Sequence, residues 1–130
     1  MKAVVVRENA ELAVAETGTP ALEGGDLLLR VGACGICGSD LHVVHGLSHG
    51  AIMGHEFSGT VVDVGAGVDG WREGDRVVAL PFFSCGTCDR CREGLQIYCE
   101  ANRGLGLGDL PGAYAEHVRV QASHCLRMQT

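Results

Sequence analysis

The sequence predicts a mainly β domain, in which mostly antiparallel strands form a small barrel or sandwich. Short segments rich in Val or Leu recur along the chain, and Gly, Pro or Asp separates them. Twenty glycines fit this architecture, because the tight corners and bulges of a compact barrel need backbone conformations that glycine adopts at least cost. With 130 residues, 46% hydrophobic and 20% charged, the chain has the size and composition of one globular domain with a core.

Six segments are predicted to be strands. In chain order they are Lys2–Val6, Glu11–Ala15, Asp26–Val31, Ser58–Val64, Arg76–Leu80 and Tyr114–Val120. One helix is expected over residues 39–44, where Ser39 or Asp40 can cap the first turn, and a second short helix is expected after Asp89. Residues 81–103 have little apolar periodicity and contain four cysteines, so we expect a lobe outside the barrel that a metal holds together.

Charge and composition exclude several classes of partner. Ten Lys and Arg residues against sixteen Asp and Glu give a formal net charge of −6, so the chain lacks the basic surface that nucleic-acid binding requires. No apolar run approaches the length of a signal sequence or a membrane span. We therefore expect a cytoplasmic protein without nucleic-acid or membrane partners. In that reducing compartment, seven cysteines favour metal binding or catalysis over a disulfide framework.

Four of the cysteines have the spacing of a metal site. Their pattern is C-x2-C-x2-C-x7-C, formed by Cys85, Cys88, Cys91 and Cys99. Thiolates so spaced on a tight loop can reach one tetrahedral zinc ion at about 2.3 Å, and four of them complete its coordination. The expected site is therefore structural zinc, which stabilises the loop without reacting. Two disulfides, four unrelated thiols and an iron–sulfur cluster are the alternatives, of which a [4Fe–4S] cluster is the best.

A second set of candidate ligands lies nearer the N-terminus. Cys37 belongs to the run GICGSDLH at residues 35–42, and His55 and Glu56 follow eighteen and nineteen residues later. A thiolate, an imidazole and a carboxylate form the mixed, incomplete ligand set of a catalytic zinc ion, which keeps one position open. The alternative is a core cysteine with an ordinary polar histidine at the start of a strand, and the spacing alone does not decide between the two.

Longer motifs indicate a family. The run GHEFSGTVVDVG at residues 54–65, continued by Gly67-Val68 and by residues 74–77, resembles the signature of zinc-containing medium-chain alcohol dehydrogenases. The run CGSD at residues 37–40 and the four-cysteine lobe match the same family in the same order, so the resemblance covers essentially the whole chain. It implies a GroES-like β-barrel that interconverts an alcohol and its aldehyde or ketone with zinc and NAD or NADP.

The resemblance also implies a domain organisation. Residues 1–130 would be the GroES-like zinc and substrate domain, with its structural zinc lobe at residues 81–103. A Rossmann domain that holds the nucleotide normally follows in this family, and it is expected to be absent from this chain. Since family members usually associate through that domain, we expect the isolated domain to be a monomer and the full-length enzyme a homo-oligomer.

Specific roles follow from the same resemblance. Cys37 and His55 match catalytic zinc ligands, and the four lobe cysteines match structural ligands, which makes two zinc ions per chain. Ser39 matches the hydroxyl that takes the alcohol proton, and His42 the outer member of a relay to solvent. Asp40 is expected to accept the spare ring N–H of His55 and fix its tautomer. Without the resemblance, Ser39 would be assigned to helix capping and His42 to the exposed helix surface.

The third ligand of the catalytic zinc is the main departure from the family. In many relatives it lies further along than this chain extends. Glu56 either takes that place, as its equivalent does in polyol-dehydrogenase-like members, or lies behind the metal and pairs with another group.

Two glycine-rich runs could be mistaken for a nucleotide site. Residues 65–70 spell G-x-G-x-x-G, but the sequence then leads through another glycine into a strand, so a barrel turn is predicted. Residues 104–108 are predicted to be a loop for the same reason.

The leading hypothesis is therefore the zinc-binding catalytic domain of an alcohol dehydrogenase, inactive without its nucleotide domain. The alternative is a non-catalytic, zinc-stabilised barrel for binding or assembly, which would need only the four-cysteine site. A zinc-free relative similar to quinone reductases is disfavoured by Cys37 and His55. The sequence specifies neither the alcohol nor the choice between NAD and NADP.

Overall fold

The computed structural model describes residues 1–129, which form nine strands and two short α-helices, so the prediction of a mainly β domain is confirmed. The elements in chain order are β1 (Lys2–Val6), β2 (Leu12–Glu16), β3 (Asp26–Cys34), α1 (Asp40–Val43), β4 (Phe57–Val64), β5 (Arg76–Ala79), β6 (Phe82–Phe83), α2 (Asp89–Arg92), β7 (Arg103–Gly104), β8 (His117–Gln121) and β9 (Cys125–Arg127). In this part of the chain, no helix has the length and apolarity needed to cross a bilayer.

The strands form three antiparallel sheets. The largest has five strands in the order β8-β3-β4-β5-β9, while β1 pairs with β2 and β6 pairs with β7. Strand β3 lies between β8 and β4, and its register against β4 shifts between Leu28 and Leu29 and again between Val31 and Ala33, as at β-bulges. Single bridges from Ala3 to Ala115 and from Val5 to Ile52 connect the β1–β2 hairpin to the rest of the fold.

The core lies on one face of the five-stranded sheet. Alternate residues along each strand point to that face, as the buried-then-intermediate pattern of β4 shows. The most buried members are Leu27, Leu29, Val61, Val77, Val118 and Val120, each at most 1% exposed. Because β3 and β4 are fixed by this core, the positions of the C-terminal end of β3 and the N-terminal end of β4 are fixed as well. The candidate ligands lie directly beyond these two ends.

All six predicted strands are present, but their bounds differ from the prediction. The second begins and ends one residue later than expected, and the third continues to Cys34. The last begins at His117 instead of Tyr114, because the Tyr114 N–H donates to the Met53 carbonyl and the Tyr114 carbonyl accepts from Val4. Strands β6, β7 and β9 were not predicted, because two or three residues are too short to show a period of two.

The first helix is shorter than predicted and is capped differently. It spans Asp40–Val43, and the Ser39 side chain makes no capping hydrogen bond, so that role for Ser39 is wrong. The Asp40 carboxylate instead accepts a hydrogen bond from the Cys37 N–H at 2.9 Å, in the turn that leads into the helix. Helix α2 begins at Asp89, where the second helix was expected.

The turn after β4 is confirmed as a turn and not the start of a nucleotide-binding helix. Residues 65–75 contain no helix, and Gly67 and Gly70 adopt positive φ angles of 76° and 78°. At the start of this turn the Gly65 N–H donates to the Asp26 carbonyl oxygen at 2.8 Å. The turn therefore packs its backbone directly against the beginning of β3.

We expect Gly65→Ala to destabilise the domain. A Cβ at this position would overlap the Glu23 carbonyl oxygen and lie 2.8 Å from that of Asp26, and the Asp26 backbone cannot move without displacing the start of β3. The free energy of unfolding should fall by about 1–3 kcal/mol, the usual cost of overpacking a filled site, as measured by chemical denaturation.

Gly18→Ala is the matched control. A Cβ there would meet no atom within 4 Å, and Gly18 does not have a positive φ. Equal stability of the two variants would show that the Gly65 contact does not constrain the fold.

Candidate metal centres

Strand pairing brings the first set of predicted ligands together. Cys34 at the end of β3 pairs with Phe57 at the start of β4, and the Gly35 N–H donates to the Glu56 carbonyl at 2.8 Å. Cys37 and His55 therefore emerge at the same edge of the sheet. The ligand atoms of Cys37, His55 and Glu56 lie within 4.8 Å of one another, and we call these three residues the mixed site.

Gly54 sets the direction in which the chain enters the mixed site. Its φ is +98°, a conformation that favours glycine. A Cβ here would lie 2.8 Å from the Tyr114 ring and its backbone N, and 2.9 Å from the Cys34 sulfur. Only glycine fits this position, so the residue before His55 is determined by both backbone conformation and space.

Ser39 and His42 lie on the segment that begins at Cys37. The Ser39 Oγ donates to the Cys37 Sγ at 3.3 Å and lies 3.4 Å from the His55 Nε2. Its hydroxyl is thus placed against two candidate ligand atoms. His42 is exposed on the next turn, and its backbone N–H donates to the Ser39 carbonyl at 3.1 Å. The geometry gives Ser39 access to any oxygen bound at the mixed site and gives His42 access to solvent.

Asp40 lies behind His55 and is only 4% exposed. Its Oδ2 accepts hydrogen bonds from the Cys37 N–H at 2.9 Å and from the Tyr114 hydroxyl at 2.8 Å. Its Oδ1 lies 3.4 Å from the His55 Nδ1, and within residues 1–129 neither of these two buried atoms has a hydrogen bond. A buried carboxylate is costly without positive charge nearby, and a cation bound by His55 would supply that charge. The mixed site therefore fits a metal ion.

Tyr114 is a member of this network that the sequence did not identify. Burial, together with the hydrogen bond to Asp40, raises the pKa of the Tyr114 phenol well above its usual value. The hydroxyl consequently stays protonated and acts as a donor. Tyr114 was assigned only to the start of a strand, and its partner Asp40 is 74 residues away in sequence, so no local pattern links the two.

The four lobe cysteines also converge, and we call them the four-cysteine site. Their sulfurs all lie within 4.8 Å of one another. The Cys85 sulfur accepts N–H groups from Thr87 at 3.4 Å and Cys88 at 3.3 Å. The Cys99 sulfur accepts N–H groups from Cys85 at 3.2 Å and Ala101 at 3.3 Å. These backbone donors favour thiolates, which are the form that binds zinc.

The protonation of the four thiols is uneven. The N–H and hydroxyl of Thr87, with the N–H of Cys88, lower the pKa of Cys85 to about 6. Burial raises the pKa of Cys91 to about 11. Part of the site is therefore ready to bind a cation at neutral pH, and the remaining thiol protons must leave as the metal binds. All seven cysteines lie within residues 1–129, and none of them forms a disulfide there.

Gln121 at the end of β8 and His124 in the short segment before β9 attach the lobe to the sheet. The Gln121 side chain accepts the Ser84 N–H at 2.9 Å and donates to the Ser84 carbonyl at 3.0 Å. The His124 Nε2 and the Ser84 Oγ are 2.9 Å apart. The pairing of β6 with β7 brings the two ends of the lobe together. Sequence reasoning missed both Gln121 and His124, because their contacts with Ser84 span 37 and 40 residues.

The two remaining cysteines lie outside both sites. Cys34 and Cys125 are half-buried. Burial raises the pKa of both thiols, that of Cys125 to about 12. Both remain protonated at neutral pH, so neither is a ready ligand.

Comparison with known proteins identifies close similarities. The alcohol dehydrogenase GroES-like domain family matches residues 23–130. Zinc-type alcohol dehydrogenase B of Aspergillus flavus is 40% identical over 124 residues, covering 92% of the chain and 29% of that protein. The alcohol dehydrogenase TADH of Thermus sp. ATN1 has a similar structure, with a TM-score of 0.93 and 39% identity, covering 100% of the chain and 40% of that protein.

A protein of Sinorhizobium meliloti 1021, whose structure has NADP bound, is also similar. Its TM-score is 0.85 at 35% identity, covering 98% of the chain and 38% of that protein. The chain thus spans between 29% and 40% of the length of these three proteins. The similarities confirm the family resemblance that the motifs indicated and the GroES-like fold that it implied.

We expect the purified chain to bind two zinc ions, with the four-cysteine ion held more tightly because its coordination is complete. Elemental analysis measures the content. Cys88→Ser should remove the lobe zinc and the hydrogen-exchange protection of residues 85–99. Cys37→Ser should remove the other zinc and leave unfolding cooperative, since the core does not depend on the mixed site.

Cys125→Ala is the control, because this thiol lies outside both sites, and it should keep both ions. Iron in place of zinc would contradict the assignment. Unfolding of Cys37→Ser would show that the two sites have the opposite roles.

Proposed function

Because the chain belongs to the alcohol dehydrogenase GroES-like domain family, we propose that it is the zinc- and substrate-binding domain of an NAD(P)-linked alcohol dehydrogenase. Such an enzyme interconverts an alcohol and its aldehyde or ketone. One observation supports this function above all others. The Cys37 sulfur and the His55 Nε2 lie together, and the Ser39 hydroxyl is placed against both of them.

The chain's own residues provide the ligands of a catalytic metal. We propose Cys37 and His55 as two of them, with Glu56 as the third. Glu56 is exposed, its carboxylate belongs to the mixed site, and it has no ion-pair partner in the described part of the chain. The absence of a pairing group favours Glu56 as a ligand over a position behind the metal.

The same residues provide a proton path. Zinc, when bound, polarises the alcohol or carbonyl oxygen as a Lewis acid, and the nicotinamide cofactor carries the hydride. The Ser39 hydroxyl, which is adjacent to both proposed ligand atoms, accepts the proton of the alcohol and at the same time releases its own proton toward His42. His42, one turn further along and exposed, transfers that proton to solvent, since an imidazole can both accept and donate a proton.

Apolar side chains flank the site. Ile36 is 78% exposed and Leu41 is 66% exposed, on either side of the segment from Cys37 to Asp40. We propose that the hydrocarbon part of the substrate, or the nucleotide-binding part of the enzyme, covers these side chains. A non-catalytic zinc module would need neither this open mixed site nor the hydroxyl beside it, so that alternative is not favoured.

The remaining parts of the proposal concern the whole enzyme. We place the NAD or NADP site outside residues 1–129, because neither glycine-rich run there opens a helix. We further propose that this domain alone is a monomer, that the whole enzyme is a homo-oligomer, and that the protein is cytoplasmic. Seven thiols without a disulfide are consistent with a reducing compartment.

We expect no NAD- or NADP-linked alcohol oxidation by the chain alone, because a nicotinamide from bulk solution lacks the positioning that supplies about 7–11 kcal/mol of the barrier. Joined to the remainder of TADH, the chain should become active. Steady-state rates of cofactor reduction measure both. Cys37→Ser and His55→Ala should abolish this activity, and Ser39→Ala should lower kcat by about 100-fold or more.

His42→Ala should slow turnover less than Ser39→Ala, because water replaces an outer relay member more easily than an inner one. His45→Ala is the matched control, since this exposed histidine on the following turn has no proposed role. Turnover by the 130-residue chain itself, saturable in cofactor, would contradict the absence of a nucleotide site.

A further inference from the structure

We propose that Tyr114 is a positioning residue for the mixed site. Its hydroxyl holds the Asp40 carboxylate in the orientation that directs Oδ1 at the His55 Nδ1, which leaves the His55 Nε2 free to bind the metal. This inference rests on the proposed function, because it requires zinc to be bound by Cys37 and His55.

Tyr114 is fixed by its backbone on both sides. Its N–H donates to the Met53 carbonyl at 2.9 Å, and its carbonyl accepts the Val4 N–H at 2.7 Å. Its ring lies against the backbone of Gly54, where any Cβ would come within 2.8 Å of the ring. The position of the phenol is therefore fixed relative to residues 53 and 54, which lead into the mixed site at His55.

The hydroxyl of Tyr114 completes the hydrogen bonding of one carboxylate oxygen. It donates to the Asp40 Oδ2 at 2.8 Å, and the Cys37 N–H donates to the same atom at 2.9 Å. The hydroxyl also lies 3.2 Å from the Gly35 carbonyl, but its single proton favours the shorter bond to the charged acceptor. Two donors on the same oxygen favour this orientation of the carboxylate.

The orientation of Asp40 determines the chemistry of His55. While Oδ2 accepts two hydrogen bonds, the buried Oδ1 lies 3.4 Å from the His55 Nδ1, and within residues 1–129 neither of these two atoms has a hydrogen bond. The proton of a neutral His55 then belongs on Nδ1, where it faces a carboxylate oxygen. The lone pair of Nε2 consequently points toward the side where the Ser39 hydroxyl and the Cys37 sulfur lie.

The hydroxyl of Tyr114, and not its ring, is the group that this role requires. The ring packs beside the small cluster of Ala3, Val5 and Ile52, and a phenylalanine would preserve that contact. His55 is the only ion-pair partner of Asp40 among residues 1–129, so two neutral donors carry the stabilisation of its charge. Removal of one of them leaves the carboxylate with the Cys37 N–H alone.

The test compares zinc affinity at the two sites of one chain. Tyr114→Phe is titrated with zinc in competition with a chromophoric chelator. The mixed site should bind about tenfold more weakly, at the low end of the 10–100-fold effects of groups that support metal ligands. The four-cysteine site should be unchanged and serves as an internal reference. Tyr98→Phe is the matched control, because Tyr98 is 68% exposed, and it should leave the mixed site unchanged.

A double-mutant cycle separates positioning from packing. If Tyr114 acts through Asp40, Tyr114→Phe should weaken zinc binding little further in an Asp40→Asn background. Cobalt substituted into the mixed site gives a second readout, since its visible spectrum should change in Tyr114→Phe and stay the same in Tyr98→Phe. This spectrum decides the question if Asp40→Asn does not fold.

The outcomes distinguish the two proposals. A wild-type chain that binds zinc only at the four-cysteine site overturns the proposed function. A wild-type chain with two zinc ions, but with equal mixed-site affinity and cobalt spectra in Tyr114→Phe, overturns the role of Tyr114. Weakening at both sites, or full additivity with Asp40→Asn, shows a packing effect and also overturns it.

Discussion

The antiparallel pairing of Cys34 with Phe57 joins the end of β3 to the start of β4, and the geometry of the mixed site depends on it. The chain between these residues contains all the proposed ligands of that site, the helix α1 and Gly54 with its positive φ. Closing such a loop costs conformational entropy, which the buried strands on either side offset. The ligands are therefore positioned by a sheet whose strands pair without them. A bound metal would add a second link between the segment after β3 and the segment before β4.

The four-cysteine site has the opposite relation to the fold. Its ligands lie within residues 85–99, a stretch whose large apolar residues Leu95, Ile97 and Tyr98 are exposed instead of forming a core. A segment without a core has little to offset its ordering entropy except the metal, so zinc binding and folding are one event there. Chelation should thus affect the two sites differently, disordering the lobe while the mixed site loses only its ion.

Local patterns predicted the parts of the structure that depend on neighbouring residues. The longer strands, the convergence of the four lobe cysteines and the turn at residues 65–70 were predicted correctly, because each is encoded in a short stretch of sequence. The grouping of Cys37 with His55 followed from the resemblance to a family and not from spacing. Tyr114 and Gln121 were not predicted, since each makes its hydrogen bond with a residue far away in sequence. The capping alternative for Ser39 does not hold for a related reason: its hydroxyl faces Cys37 and His55, which a local rule for helix ends does not include.

Some glycines are required for a second reason, close contact between backbones, which composition alone does not reveal. From composition, the twenty glycines are expected at tight corners and bulges with unusual backbone conformations. Gly67 and Gly70, which have positive φ angles, fit this expectation. At Gly112, however, a Cβ would overlap the carbonyl oxygens of Met53 and Gly54, so glycine is required by contact between two backbones. Through this contact the Gly112 N–H reaches the Ile52 carbonyl at 2.8 Å, and the next two residues bond to Gly54 and Met53. A side chain at position 112 would push these segments apart and move the Tyr114 hydroxyl away from Asp40. The close approach of the Gly112 backbone to residues 53 and 54 therefore also helps to orient the proposed metal ligand His55, through Tyr114 and Asp40.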